Sequence, residues 1–189
     1  MKSKNLMKVS LASLLLASPI LEASAFTVTI DAGHGQHTPG KRAVDNSFHE
    51  WEINDRVADY LQPMLESKGI TVYRLDDTTG QTDVSLNTRL QRAINYNSDL
   101  HVSIHQNAVG DEWHPATGTE TYYSVLGSEK SQNLAKQVAQ KMAEYIGTNN
   151  RGDKGTTNEL FILESLPEQE LTQIYMKVYS CQINKTLSK

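Results

Sequence analysis

The period of hydrophobic and polar positions changes along this chain, and each change marks an element. Phe26 to Ile30 alternates apolar with polar β-branched residues, the two-residue period of a strand. Asp31-Ala-Gly-His34-Gly35 closes it, and residues 36–48 carry Gly, Pro, Asp and Asn without a period, so they read as a loop. From Glu50 to Lys68 the period lengthens. Ile53, Val57, Leu61 and Leu65 recur every four residues, Tyr60 and Met64 widen the stripe, and Gly69 stops the predicted helix. Ile70 to Leu75 reads as a strand, and Val84 to Asn97 as a helix with Leu86, Leu90, Ala93 and Ile94 on one face. Asp99 to His105 is the most strand-like run, and Gly118 to Val125 is another strand rich in Thr and Tyr. Ser128 to Ile146 reads as a long helix with Leu134, Val138, Met142 and Ile146 inward, and Glu159 to Leu163 as a short last strand. Strands alternating with helices predict a three-layer α/β fold, with a mostly parallel sheet covered by helices on both faces.

The N-terminus has a different pattern. Lys2, Lys4 and Lys8 make a basic start, Val9 to Leu21 is a short apolar run broken by Pro19, and Ala23-Ser24-Ala25 is a small-x-small cleavage pattern. The run is too short to span a bilayer well. Residues 1–25 therefore read as a secretory signal, which predicts a protein working outside the cytoplasm: secreted, in the extracellular space, the cell wall or the periplasm. No stable membrane insertion is expected after cleavage. The net charge of −4 becomes −6 once Lys2, Lys4, Lys8 and Glu22 are removed. That disfavours a general nucleic-acid binder, which needs a basic stripe. A hydrophobic share of 38% argues against disorder of the whole chain. The single cysteine, Cys181, excludes an intrachain disulfide framework and a cysteine-cluster zinc site.

Candidate chemistry lies at the strand ends. His34 and His105 each fall at the carboxyl end of a predicted strand, where open α/β sheets build their sites. Glu50 starts the helix after the first of those strands and can face the same crevice. Two histidines and one carboxylate are a standard catalytic zinc set, with a fourth position left for water. The glycines flanking His34 suit a tight turn. A lone histidine is more often a surface or satisfied core residue, so spacing by itself leaves both readings open. His37, His49, His101 and His114 are assigned to the structural class.

Four motifs occur in order: Ile30-Asp31-Ala-Gly-His34-Gly, Glu50-Trp-Glu-Ile-Asn54, Leu86-x-x-Arg89 with Ala93-x-Asn95, and Ser103-Ile-His105-Gln-Asn107-Ala108. Together they resemble the zinc-dependent N-acetylmuramoyl-L-alanine amidases of the third amidase family, which includes bacterial cell-wall amidases and phage endolysins. The resemblance runs from Phe26 to Leu163. It implies hydrolysis of the amide between the lactyl group of N-acetylmuramic acid and L-alanine, so peptidoglycan is the expected partner. It implies Zn2+ as cofactor, held by His34, Glu50 and His105. Glu52 would be a helix surface residue, Asp31 would orient the His34 turn, and Asn107 and Arg89 would brace sheet and helices. Arg151-Gly152-Asp153-Lys154-Gly155 matches the family's basic turn before the last strands. Rival readings of the same ligand set are a zinc-dependent wall-binding protein without catalysis, and a zinc peptidase or deacetylase on another substrate.

The chain's end departs from the family pattern. The family continues with an apolar strand that ends in a glutamate, the expected proton acceptor. Here that glutamate should fall near 174–176, where Ile174, Tyr175 and Met176 stand. The catalytic acceptor is thus unassigned, and the last strand is expected to be degraded. One choice of codons for Ile174 to Thr186, read from its third base, gives Ile-Tyr-Glu-Ser-Leu-Phe-Val-Ser-Asn-Lys-Gln-Asp, a close match to the missing ending. This reading predicts a one- or two-base frame change near the codons of Leu163 to Pro167. The expected organisation is a signal at 1–25, an amidase-like domain at 26–163 and an atypical, frame-shifted tail at 164–189.

Overall fold

The computed structural model describes residues 26–157, except 39, 110, 111, 113 and 126, and the backbone of 172–180. The expected signal at 1–25 and the expected strand at Glu159–Leu163 lie outside the described residues. So does Cys181.

The order of elements is β1 (Thr27–Ala32), α1 (Glu50–Glu66), β2 (Thr71–Arg74), α2 (Leu86–Asn95), β3 (Leu100–Asn107), β4 (Thr117–Ser124), α3 (Glu129–Ile146), β5 (Asn150–Thr156) and β6 (Thr172–Ser180). The described strands form one sheet in the order β2-β1-β3-β6-β4-β5. β4 runs antiparallel to β6, and the other pairings are parallel. The mixed, mostly parallel α/β fold expected from the alternation of periods is what forms.

The two faces of the sheet are covered differently. Val28, Ile30, Val102 and Ile104 point to one face, where Ala58 of α1 and Ala135 of α3 join the same core cluster. Thr29, Asp31 and Ser103 alternate to the other face, and Asp31 is reached there by Arg89 of α2. Both helices on the core face pack Leu61, Leu65, Leu134 and Val138 against the core as the periodicity predicts, but the residues they bury fully are others. On α1 the buried positions are Glu50, Asn54 and Ala58, while Val57, Tyr60 and Met64 are exposed. On α3 they are Ser131, Ala135, Ala139 and Ala143, with Leu134 and Val138 packed at the flank and Ile146 exposed. Small side chains let these helices lie close to the strands. Thr119 Oγ1 donates to the carbonyl of Ala139 at 3.1 Å, a bond that a larger seam would hold apart.

Two strands were not expected. Arg151–Gly155, read as a basic turn, lies within β5, a parallel edge partner of β4. Its residues lack apolar alternation because an edge strand of this kind buries little. The last strand is not degraded as expected. β6 sits inside the sheet, parallel to β3 and antiparallel to β4. Ile174, Tyr175, Val178 and Tyr179 are residues of high strand propensity, sufficient for a ladder without the family's ending.

Candidate active site

The site is built where β1, α1 and β3 meet. The chain leaves β1 through Gly33 and enters His34, whose φ of 71° lies in the left-handed region. The Gly33 amide donates to the carbonyl of Ile104 at 2.9 Å, so the turn stays tied to β3. A Cβ on Gly33 would overlap the His105 ring, so glycine there lets the imidazole cross the strand end. A Cβ on Gly40 would come within 2.8 Å of the Glu50 Cβ and 3.0 Å of His34 Cδ2. The loop therefore returns against the site through a second glycine.

Glu50 is the first residue of α1 and is buried. Its Oε1 accepts from the Gln106 amide at 3.0 Å and lies 2.8 Å from His105 Nδ1. Its Oε2 accepts from the Lys41 amide at 2.6 Å and lies 3.3 Å from His34 Nε2. Burial pushes the Glu50 carboxyl up, but the hydrogen bonds with His105, His34 and the Lys41 amide outweigh it. The group is held well below the usual carboxylate range. Hydrogen bonding to Glu50 raises the His34 imidazole above its ordinary value, against the effect of burial.

His34, Glu50 and His105 offer ligand atoms that all lie within 4.8 Å of one another. A tetrahedral metal with bonds of about 2.0–2.2 Å separates its ligands by roughly 3.4 Å, so small side-chain movements suffice. The two-imidazole, one-carboxylate donor set fits a divalent metal such as zinc. The three candidates read from the sequence thus come together in space. The other four histidines do not join them: His37 and His114 are exposed, and His49 precedes α1. The His49 amide donates to Glu52 Oε2 at 3.0 Å, so Glu52 caps the helix from its surface. His101 is satisfied by Asp31 at 3.0 Å and Thr29 Oγ1 at 3.0 Å.

Two supporting residues were missed. Asn54 Nδ2 donates to the carbonyl of Gly33 at 3.1 Å, and Gln106 Nε2 donates to Asn54 Oδ1 at 3.1 Å. Asn54 stands four residues after Glu50, on the same helix face, and that spacing was the available signal.

A family model described as N-acetylmuramoyl-L-alanine amidase matches residues 28–176. This chain belongs to that amidase family. Amidase LytC of Bacillus subtilis (strain 168) is 36% identical over 131 residues, 68% of this chain and 25% of that protein. The sporulation-specific N-acetylmuramoyl-L-alanine amidase of the same organism is 34% identical over 147 residues, 77% of this chain and 54% of the relative. The chain thus spans from a quarter to about half the length of these relatives. Among solved structures, the N-acetylmuramoyl-L-alanine amidase from Clostridium difficile 630 superposes with a TM-score of 0.72 at 29% identity, covering 86% of this chain and 88% of that one. The amidase fold is therefore present here, with His34, Glu50 and His105 gathered at the strand ends.

Proposed function

We propose that this chain is a zinc-dependent amidase acting on the bond between N-acetylmuramic acid and L-alanine in peptidoglycan. The observation that carries the reading is the convergence of His34, Glu50 and His105 from three separate segments in a chain of the amidase family. Zinc held by these residues would supply Lewis acidity, acidifying a water and polarising the scissile carbonyl. The chain's own part is to keep the ligands ready. Amide donors from Lys41 and Gln106 hold Glu50 ionised. His34 and His105 must each present an unprotonated nitrogen to the metal. A secretory signal at 1–25 would deliver the domain to the wall polymer.

Hydrolysis also needs a proton acceptor that passes the proton to the leaving amine. Ile174, Tyr175 and Met176 stand where the family resemblance leads to a glutamate. We infer that turnover is slowed by the loss of this general base, about 10²–10⁴-fold. The same substitution favours a second reading, a zinc-dependent wall-binding protein without hydrolysis. Incubating the protein and zinc with purified peptidoglycan separates the two. New L-alanine amino ends, absent with His105→Ala, support the amidase. Retained wall binding with no new amino ends supports the binding protein, and cleavage that survives His105→Ala or full chelation overturns the metal assignment.

A further inference from the structure

Arg89, on α2, is only 2% exposed, and five acceptors surround its guanidinium. Nε donates to the carbonyl of Val84 at 2.8 Å. Nη1 donates to Asp31 Oδ1 at 3.0 Å and to the carbonyl of Ala32 at 2.8 Å. Nη2 donates to the carbonyl of His34 at 3.3 Å and to Asp83 Oδ1 at 3.4 Å. Five acceptors match the five N–H groups of a guanidinium. Three of them belong to the end of β1 and the turn that carries His34. The other two belong to the segment that enters α2.

The turn is thus gripped from two sides. Asn54 of α1 takes the carbonyl of Gly33, and Arg89 of α2 takes those of Ala32 and His34. Between them His34 sits at φ 71°, where an L-residue seldom rests without support. Asp31, the charged member of the grip, is tied to β3 by Ser103 Oγ at 2.9 Å and by His101 at 3.0 Å. The position of the His34 backbone is therefore referred to β3, the strand that carries His105.

We propose that Arg89 is a positioning residue of the metal site. Its guanidinium holds the His34 backbone so that the imidazole meets Glu50 and His105. It touches neither metal nor substrate. The proposal rests on the metal reading above and deepens it. A simple brace between β1 and α2 would set the unfolding temperature and leave the metal affinity of the folded protein alone. Lysine keeps the charge but offers three donors from a single nitrogen, which cannot reproduce the planar five-bond pattern.

The test is zinc affinity, measured by competition with a chromophoric chelator on full-length parent and Arg89→Lys, well below their melting temperatures. Arg89→Lys is expected to bind zinc about 10–100-fold more weakly while its helical circular dichroism is retained. Affinity within twofold of the parent in a folded Arg89→Lys overturns the proposal and leaves the metal reading intact. A parent that binds no zinc overturns the metal reading and the proposal with it. If Arg89→Lys fails to fold, Asp83→Asn replaces it, because that carboxylate is 36% exposed and withdraws the charged acceptor from Nη2. Measured in high salt, which screens a direct charge effect on the metal, Asp83→Asn should still weaken zinc binding severalfold. Unchanged affinity there overturns the proposal.

Discussion

The part of the sheet built on β1 and β3 and the part built on β4 and β5 both bury carboxylates, but they hold them differently. Asp31 and Glu50 are met by donors fixed to the fold: the Ser103 hydroxyl, the Gln106 and Lys41 amides, and the guanidinium of Arg89, which is itself buried. Glu120 of β4 is fully buried as well. Its partners include Tyr122 Oη at 2.7 Å, Arg151 Nε at 3.5 Å and the Lys154 ammonium, the two cations being half-exposed and rooted in edge strand β5. Donors that are themselves buried and fixed define the position of a carboxylate. Long side chains reaching in from an edge neutralise charge without defining position to the same degree. The first arrangement suits a carboxylate that must meet two imidazoles, and it is found around Glu50, between His34 and His105.

The sharpest way to break this comparison is to move catalytic chemistry into the other half. The β6 register sets Lys177 beside His105 and Met176 beside Ile104. Parallel neighbours in register share a sheet face, so position 177 lies on the face of His105 and position 176 on the face of the buried Ile104. Lys177→Glu is expected to raise peptidoglycan cleavage by about 10²–10⁴-fold, the usual worth of a general base, and to lower the melting temperature, because position 177 also lies opposite the buried Glu120 of β4. Met176→Glu should give no gain and should lower the melting temperature, because Ile104 belongs to the core. Release of L-alanine amino ends, measured for both variants against the parent, decides it. A gain from Met176→Glu alone would mean that β6 functions in a register shifted by one residue.

The next effect concerns the network beneath His34. Asp31→Asn removes the charge that pairs with buried Arg89 and with His101. Breaking a buried pair from one side costs about 3–5 kcal/mol, so a large drop in the denaturation midpoint is expected. The effect also has a pH signature. Burial raises the Asp31 carboxyl, but the His101 hydrogen bond and the nearby His101 and Arg89 charges outweigh it, and the net shift is down from 3.8. A depressed folded-state value means the stabilisation is fully present above that ordinary value and is lost as pH falls below it. The stability gap between parent and Asp31→Asn should therefore narrow as pH falls below about 3.8. A gap that is unchanged in acid would show that the aspartate acts through shape and not through charge.

What could be read from the residues divides along the same line. β1, β3 and the meeting of His34, Glu50 and His105 were legible because their signals are local: two-residue alternation, histidines at strand ends, and a helix that begins at Glu50. The seams of α1 and α3 were legible only in part: Leu61, Leu65, Leu134 and Val138 pack against the core as their spacing predicts, but the fully buried positions were hidden. Large apolar residues dominate a periodicity count, yet Ala58, Ala135 and Ala139 make the close contacts, because close approach of helix to strand favours small side chains. β5 was hidden because an edge strand needs little apolar surface. β6 was hidden because its identity comes from pairing with β3 and β4, two segments distant in sequence, and not from its own pattern. The Arg89 grip was visible as a motif residue, but its role depends on three carbonyls and two carboxylates that only the folded turn brings together.

The smallest effect compares two glycines. Gly147 ends α3 in the left-handed conformation at φ 72°, and a Cβ there would meet nothing within 4 Å. Gly147→Ala therefore costs only the backbone preference, about 1 kcal/mol, and zinc binding should be unchanged. Gly33 has an ordinary backbone, but a Cβ there would overlap the His105 ring. Gly33→Ala must move that ring and should lose zinc affinity whatever it does to stability. Thermal melts and zinc titrations on the two variants give opposite patterns if the site depends on close approach at the end of β1. Equal zinc affinity in both would mean that His105 can turn aside without leaving the ligand set, and the tight packing of Gly33 against it would then have no part in binding metal.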